Sequence, residues 1–235
     1  MRSFTNTSHE IRTSLTLVKA PIEELNKSPE LSDKSRYYLN LATEQTSKLN
    51  RVADQLLDLQ KMDARKEVLS LSMYDIVDVV KQRIDIAKAS AFKRGLKINF
   101  TSDAESYFSA IDKIKIEKAV DNLISNAIKY SYENNEIFIR LRCPSNQWIL
   151  DVQDFGIGIP EKGKAKLFKE FYRSDNAINS AVTGSGIGLL LVKNYAEMHG
   201  GKVSYISKNN EGSIFSIVIP YKKESVADNN SEVST

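Results

Sequence analysis

Along the first sixty positions, apolar residues recur at alternating steps of four and three. Phe4, Ser8, Ile11, Leu15, Val18, Ile22 and Leu25 mark one stripe of a helix, the spacing that keeps a narrow seam on one side. Ser28-Pro29-Glu30-Leu31-Ser32-Asp33 interrupts the stripe with turn formers, and it resumes at Tyr38, Ala42, Gln45, Leu49, Val52, Leu56 and Leu59. Two antiparallel helices follow. A single hairpin leaves its seam wet, whereas two copies close a four-helix bundle, so the pattern predicts a homodimer.

The heptad gives way after Met62 to the polar stretch 63–67, which reads as a hinge. Beyond it, strands and helices alternate. Strands are predicted near 67–72, 96–101, 106–110, 136–143, 147–154, 202–207 and 213–219, and long helices near 74–94, 113–131 and 187–199. Ile137, Ile139 and Leu141 set against Phe138, Arg140 and Arg142 give the clearest period of two. The fold expected is two domains: an all-α hairpin over 1–62 and, over 68–221, an α+β sandwich of a mixed sheet with helices on one face. Residues 222–235, rich in Ser, Asn, Asp and Glu, read as a disordered tail or a linker.

Composition narrows the function classes. Thirty-three Lys and Arg against thirty Asp and Glu leave a formal charge of +3, too balanced for nucleic-acid binding as a primary role. No apolar run reaches the ~20 residues that span a bilayer, and the N-terminus lacks a signal peptide's pattern. A cytoplasmic location is therefore expected. Cys143 is the single cysteine and the two histidines lie far apart, which excludes an intrachain disulfide and gives no structural zinc motif.

Four clusters carry chemistry. His9 follows a seam position, so its ring is expected at the rim of the bundle, with Glu10 beside it to hold one ring proton while the other nitrogen acts as a nucleophile. In the segment 121–131, Asn122, Asn126 and Tyr130 recur every four residues with Lys129 adjacent, while Ile116, Val120, Leu123 and Ala127 form the buried side. Two carboxamides, an ammonium and a ring on one stripe suit a magnesium triphosphate and its base better than plain packing. Asp154-Phe155-Gly156-Ile157-Gly158 follows a strand, and Gly184-Ser185-Gly186-Ile187-Gly188 opens a helix, where backbone N–H groups can approach phosphate. The stretch 162–182 between them could cover a nucleotide. Neither glycine cluster completes a eukaryotic-type kinase set or a dinucleotide fingerprint.

In this order and spacing, the four clusters, with Leu167-Phe168-Lys169-Glu170-Phe171-Tyr172-Arg173 between the two glycine clusters, resemble the histidine, asparagine, first glycine, phenylalanine and second glycine boxes of sensor histidine kinases, over about residues 3–221. The resemblance implies a dimerisation and phosphotransfer hairpin followed by a Bergerat (GHKL-type) ATP-binding domain, shared with gyrase, MutL and the heat-shock chaperone ATPases. It implies His9 as phosphoacceptor, Glu10 as its acidic partner, and Thr13 as a residue orienting water in dephosphorylation. Asn126, supported by Asn122, would hold Mg2+. Lys129 would contact phosphate, and Tyr130 and Asp154 the adenine. Gly156 and Gly158 would shape the base pocket, and Gly184, Gly186 and Gly188 would cradle phosphates. Asn122 stands where the related hydrolytic ATPases carry a glutamate base, which disfavours water as nucleophile. Ser14 stands where the family usually has proline, which leaves the helix after His9 straighter.

The implied function is ATP-dependent autophosphorylation on His9 and transfer to an aspartate of a response-regulator receiver domain. The implied setting is the cytoplasmic segment of a membrane-bound bacterial sensor, touching the membrane only through a region outside this sequence. A phosphatase-dominant protein and a non-catalytic, nucleotide-switched dimerisation module are the alternatives.

Overall fold

The structure, a computed structural model, describes residues 16–29, 31–63, 68–169, 172, 174–179 and 185–222. The chain divides into two compact units, Met1–Glu67 and Val68–Thr235.

In the first unit, α1 covers 16–26 and α2 covers Asp33–Asp63. Asn26 of α1 donates to the Thr43 hydroxyl of α2 at 3.3 Å. The buried side chains of α2 are Thr46, Ala53 and Leu57, while Tyr38 and Leu49 are more than half exposed. The stripe that packs inside the hairpin is thus 43-46-50-53-57, one residue along from the predicted seam. Helical periodicity sets a spacing of three and four but does not say which of two neighbouring stripes meets the chain's own partner helix. The predicted seam is left partly open: Tyr38, Gln45 and Leu49 are exposed, and Ala42, Val52, Leu56 and Leu59 half-buried.

The second unit holds seven strands and five helices among the described residues. The strands are β1 (Ser72–Asp75), β2 (Lys97–Ser102), β3 (Phe108–Ile111), β4 (Glu136–Arg142), β5 (Gln147–Asp154), β6 (Lys202–Lys208) and β7 (Gly212–Pro220). Helices α3 (Ile76–Phe92), α4 (Lys113–Tyr130), α5 (Glu161–Lys164), α6 (Asp175–Asn179) and α7 (Gly188–Met198) lie between them. Five strands form a mixed sheet in the order β2-β4-β5-β7-β6, with β2 parallel to β4 and the other pairs antiparallel. Along β4, Ile137, Ile139 and Leu141 are buried and Phe138, Arg140 and Arg142 exposed. One face is therefore packed by α3, α4 and α7 and the other is open, as the alternation predicts.

One expectation is corrected. The first strand begins at Ser72, not near residue 67; Val68 is 86% exposed. It pairs only with β3, in a separate antiparallel ribbon from Ser72↔Ile111 to Asp75↔Phe108, beside the mixed sheet. Both helices that follow the ribbon strands are capped by aspartates, a residue type favoured there because its side chain takes an unpaired N–H of the first turn. Asp75 accepts from Val77 N and Tyr107 N, and Asp112 from Lys115 N and Ser70 N. Ser70 thereby ties the start of this unit to the head of α4. At the other end, Lys222 O accepts from Ala110 N, and Lys222 N donates to Ser109 Oγ. His199, fully buried, completes this corner: its Nε2 accepts from Asp112 N at 3.0 Å and its Nδ1 donates to Tyr195 O at 2.7 Å.

Candidate functional site

Helix α4 buries Ile116, Ala119, Val120, Leu123, Ile124, Ala127 and Ile128 against the sheet and its neighbours. That choice of face leaves Asn122, Asn126, Lys129 and Tyr130 half-buried along one edge. Asn122 donates through Nδ2 to Lys118 O at 2.8 Å, which turns its carbonyl oxygen outward from the helix. The start of α7 meets it there: a Cβ on Gly188 would sit 2.8 Å from Asn122 Oδ1. Ile187, the N-cap residue of α7, offers no side-chain cap, and the positive end of the helix dipole lies beside Asn122, an arrangement suited to phosphate. Gly186, just before it, has a φ of +73°.

The other wall comes from the end of β5. Asp154 is 5% exposed, and its Oδ1 has no hydrogen-bond partner. Burial raises its pKa to about 7, a rise only partly opposed by the N–H groups of Ser213 and Gly156. A buried acceptor left open at this depth is costly unless something donates to it. The turn that follows is stitched to the last residues of α4: Ile157 N donates to Tyr130 O at 3.2 Å, Tyr132 N donates to Phe155 O at 3.1 Å, and Gly156 bridges Ser131. Gly156 has to be glycine, because a Cβ would overlap Tyr130 O. Gly158, at φ +58°, runs against Lys208 O of the β6–β7 hairpin.

Of the residues the sequence marked, the structure brings Asn122, Asn126, Lys129, Tyr130, Asp154, Gly156, Gly158, Gly186 and Gly188 together in the second unit. His9, Glu10, Thr13, Ser14 and Gly184 lie outside the described residues. Three residues that sequence reasoning missed also serve this region. Ser213 pairs with Asp154 across β5 and β7 and contacts Ser207 Oγ at 2.8 Å. Arg94 donates to the carbonyl oxygens of Ile128, Lys129 (2.7 Å) and Ser131 (3.1 Å), a cationic fork over the C-terminus of α4. Asn176 of α6 donates to the carbonyls of the first glycine turn. None stands in a recognisable motif; only the Gly-Ser pair that starts β7 was available as a cue.

The donor set fits a nucleotide: an open buried acceptor for an exocyclic amine, an aromatic residue at the end of α4 whose backbone meets the adjoining turn, and an ammonium and a helix N-terminus for phosphates. The carboxamide oxygens of Asn122 and Asn126 are hard donors of the type Mg2+ takes. Among the described residues, no cluster of three or more His, Cys, Asp and Glu side chains offers another metal site.

Residues 111–223 match the histidine kinase-, DNA gyrase B- and HSP90-like ATPase family, and residues 2–65 match the His Kinase A (phospho-acceptor) domain. The chain belongs to the sensor histidine kinase family. It is similar to the sensor histidine kinase WalK of Bacillus subtilis (strain 168), at 32% identity over 95% of this chain and 37% of that protein. It is also similar to histidine kinase P4 of Formosa agariphila, at 29% identity over 97% of this chain and 17% of that protein. The chain thus spans well under half the length of these curated relatives. Full-length ShkA in complex with AMPPNP shares the fold, with a TM-score of 0.77 and 22% identity over 93% of this chain and 45% of that one. Histidine kinase ThkA in complex with the response regulator TrrA aligns with a TM-score of 0.63 and 22% identity, over 94% of this chain and 61% of that one. No described helix is long and apolar enough to cross a membrane.

Proposed function

We propose that this chain binds Mg-ATP in the pocket between α4, the end of β5 and the start of α7, phosphorylates its own His9, and passes the phosphoryl group to an aspartate of a response-regulator receiver domain. The observation that carries the reading is the buried, unpartnered Oδ1 of Asp154 lying at the junction of the asparagine helix and the first glycine turn. In this reading Asp154 accepts the adenine amino group and Tyr130 lies against the base, with Gly156 and Gly158 allowing close backbone approach. Lys129 and the N–H groups at the start of α7, with Gly184, Gly186 and Gly188, balance phosphate charge. Asn126, supported by Asn122, holds Mg2+, which when bound neutralises charge on the phosphates.

The transfer asks little covalent chemistry of the protein and much positioning, as expected for a loose phosphoryl-transfer transition state. His9 supplies the nucleophilic ring nitrogen, Glu10 holds the proton on the other, and Thr13 orients a water when the same hairpin dephosphorylates the regulator. Position 122 offers a carboxamide where a hydrolytic enzyme needs a base, which leaves the γ-phosphoryl for the imidazole. We assign residues 1–62 to the dimerisation and phosphotransfer domain, 63–67 to a hinge, 68–221 to the ATP-binding domain and 222–235 to a tail or linker. The partly open stripe of α2, with Tyr38 and Leu49 more than half exposed, supports dimerisation through this hairpin. The complex of ThkA with the response regulator TrrA supports a response regulator as the partner, and the similarity to the sensor histidine kinase WalK supports a place in a longer sensor protein.

Incubation with γ-phosphate-radiolabelled ATP and Mg2+ tests the reading. The label should be lost in acid and kept in alkali, as a phosphoramidate is, and should vanish in His9→Gln while nucleotide binding persists. Undiminished labelling of His9→Gln would sink the assignment.

A further inference from the structure

Between the two glycine turns, the short helix α6 packs back onto the first of them through one side chain. Asn176 Nδ2 donates to Ile157 O at 3.1 Å and to Gly158 O at 3.0 Å, and lies 3.4 Å from Asn209 Oδ1. Its Oδ1 accepts from Ser174 Oγ at 2.6 Å. The amide orientation is dictated by these partners, since two carbonyl oxygens can be met only by the NH2 side of the carboxamide. From the β6–β7 hairpin, Asn210 N also donates to Ile157 O at 2.9 Å, and Ser207 Oγ accepts from Ile159 N at 2.9 Å. The first glycine turn is therefore held between the hairpin and Asn176, and it begins two residues after Asp154.

We propose that Asn176 is a positioning residue for nucleotide binding: it docks α6 on the first glycine turn and fixes that turn in the shape that keeps the Asp154 acceptor open. The inference rests on the reading of this pocket as an ATP site. A turn with a left-handed glycine at 158 has alternative peptide orientations available to it. Two hydrogen bonds from one rigid amide to consecutive carbonyls select one of them. A mere packing role for residue 176 would be indifferent to its donors; the positioning role depends on them.

Asn176→Asp keeps the side chain's size and its acceptor for Ser174, but sets a carboxylate against two carbonyl oxygens. With the full chain, titration calorimetry with AMPPNP and with ADP in Mg2+ should show both dissociation constants raised about tenfold, as expected from losing two modest hydrogen bonds. Autophosphorylation should show a raised KM for ATP with kcat changed less than about twofold, because the turn is at the base and not at the transferred phosphoryl. Ser174→Ala, which leaves the donors in place and removes only their orienting partner, should weaken both ligands about twofold to threefold. It supplies the second arm if Asn176→Asp lowers the melting temperature of the nucleotide-free protein. Unchanged ADP binding in both variants overturns the proposal, as does a loss in kcat with KM preserved. A wild-type chain that binds neither nucleotide sinks the ATP reading itself, a result distinct from variants that bind like wild type.

Discussion

Replacing Asp154 by asparagine should separate the stability of the nucleotide domain from its affinity. Burial holds the Asp154 carboxyl at a pKa of about 7, against 3.8 for the free side chain. The folded protein therefore binds more protons at this site than the unfolded chain between about pH 4 and pH 7, and stability must fall as pH rises through that window. A difference of about 3 in pKa corresponds to about 4 kcal/mol once the group is ionised in both states, and to only about 1.5 kcal/mol near pH 5. A carboxamide in its place has no charge to desolvate. Asp154→Asn should thus stabilise the nucleotide-free protein by about 2.5 kcal/mol more near pH 8 than near pH 5. A hydrogen bond to a charged acceptor contributes about 1.5–3 kcal/mol, so the same change should weaken ATP binding by roughly tenfold to a hundredfold at pH 8. Urea unfolding at the two pH values gives the first quantity and titration calorimetry the second. Comparing variant with wild type at each pH cancels the other titrating groups, His199 included. A stability gain that is the same at both pH values would refute the assignment of a raised carboxyl pKa.

Three other contacts set further outcomes. Arg94→Met should cost about 2–3 kcal/mol, because the last carbonyls of α4 lose a charged fork, and Arg94→Lys should recover only part of it, as urea midpoints will show. Gly188→Ala should fold with a near-normal melting temperature, since its Cβ meets only the movable end of Asn122, yet AMPPNP affinity should fall about threefold to tenfold as that carboxamide is displaced. His199, buried and neutral with its pKa held down by burial, makes the wild-type protein lose stability as pH drops below about 6.5; His199→Gln should flatten that acid limb in thermal melts.

Much of the fold could be read from local period. The alternation in β4 and the three-four spacing in α4 each report which face is buried, because one face of each element meets a core and the other does not. What period does not carry is the partner. Val68, Leu69 and Leu71 look like strand residues, but pairing starts at Ser72, where β3 supplies a neighbour. On α2 the stripe facing α1 is not the predicted seam but its neighbour, Thr43, Thr46, Asn50, Ala53 and Leu57, which is too polar for apolar spacing to mark. In the site, the asparagine stripe and the glycine turns are visible because their chemistry is compressed into a few adjacent positions. Arg94, Asn176 and Ser213 are not, since each acts on backbone or side chains far along the chain: Arg94 on Ser131, 37 residues away, and Asn176 on Gly158, 18 residues away.

The corner where Ser70 meets Asp112 and Lys222 meets Ser109 and Ala110 has a mechanical meaning. Both strands of chain that enter and leave the nucleotide-binding unit are moored within a few residues of one another, at the head of α4. A unit tethered at one point can be carried as a cassette, turned as a whole without being stretched, and joined to different neighbours without rethreading its sheet. Tension through Ser70 reaches the cap of α4, the helix whose far end carries Asn126, Lys129 and Tyr130, and tension through Lys222 reaches β3, the strand that leads into that helix.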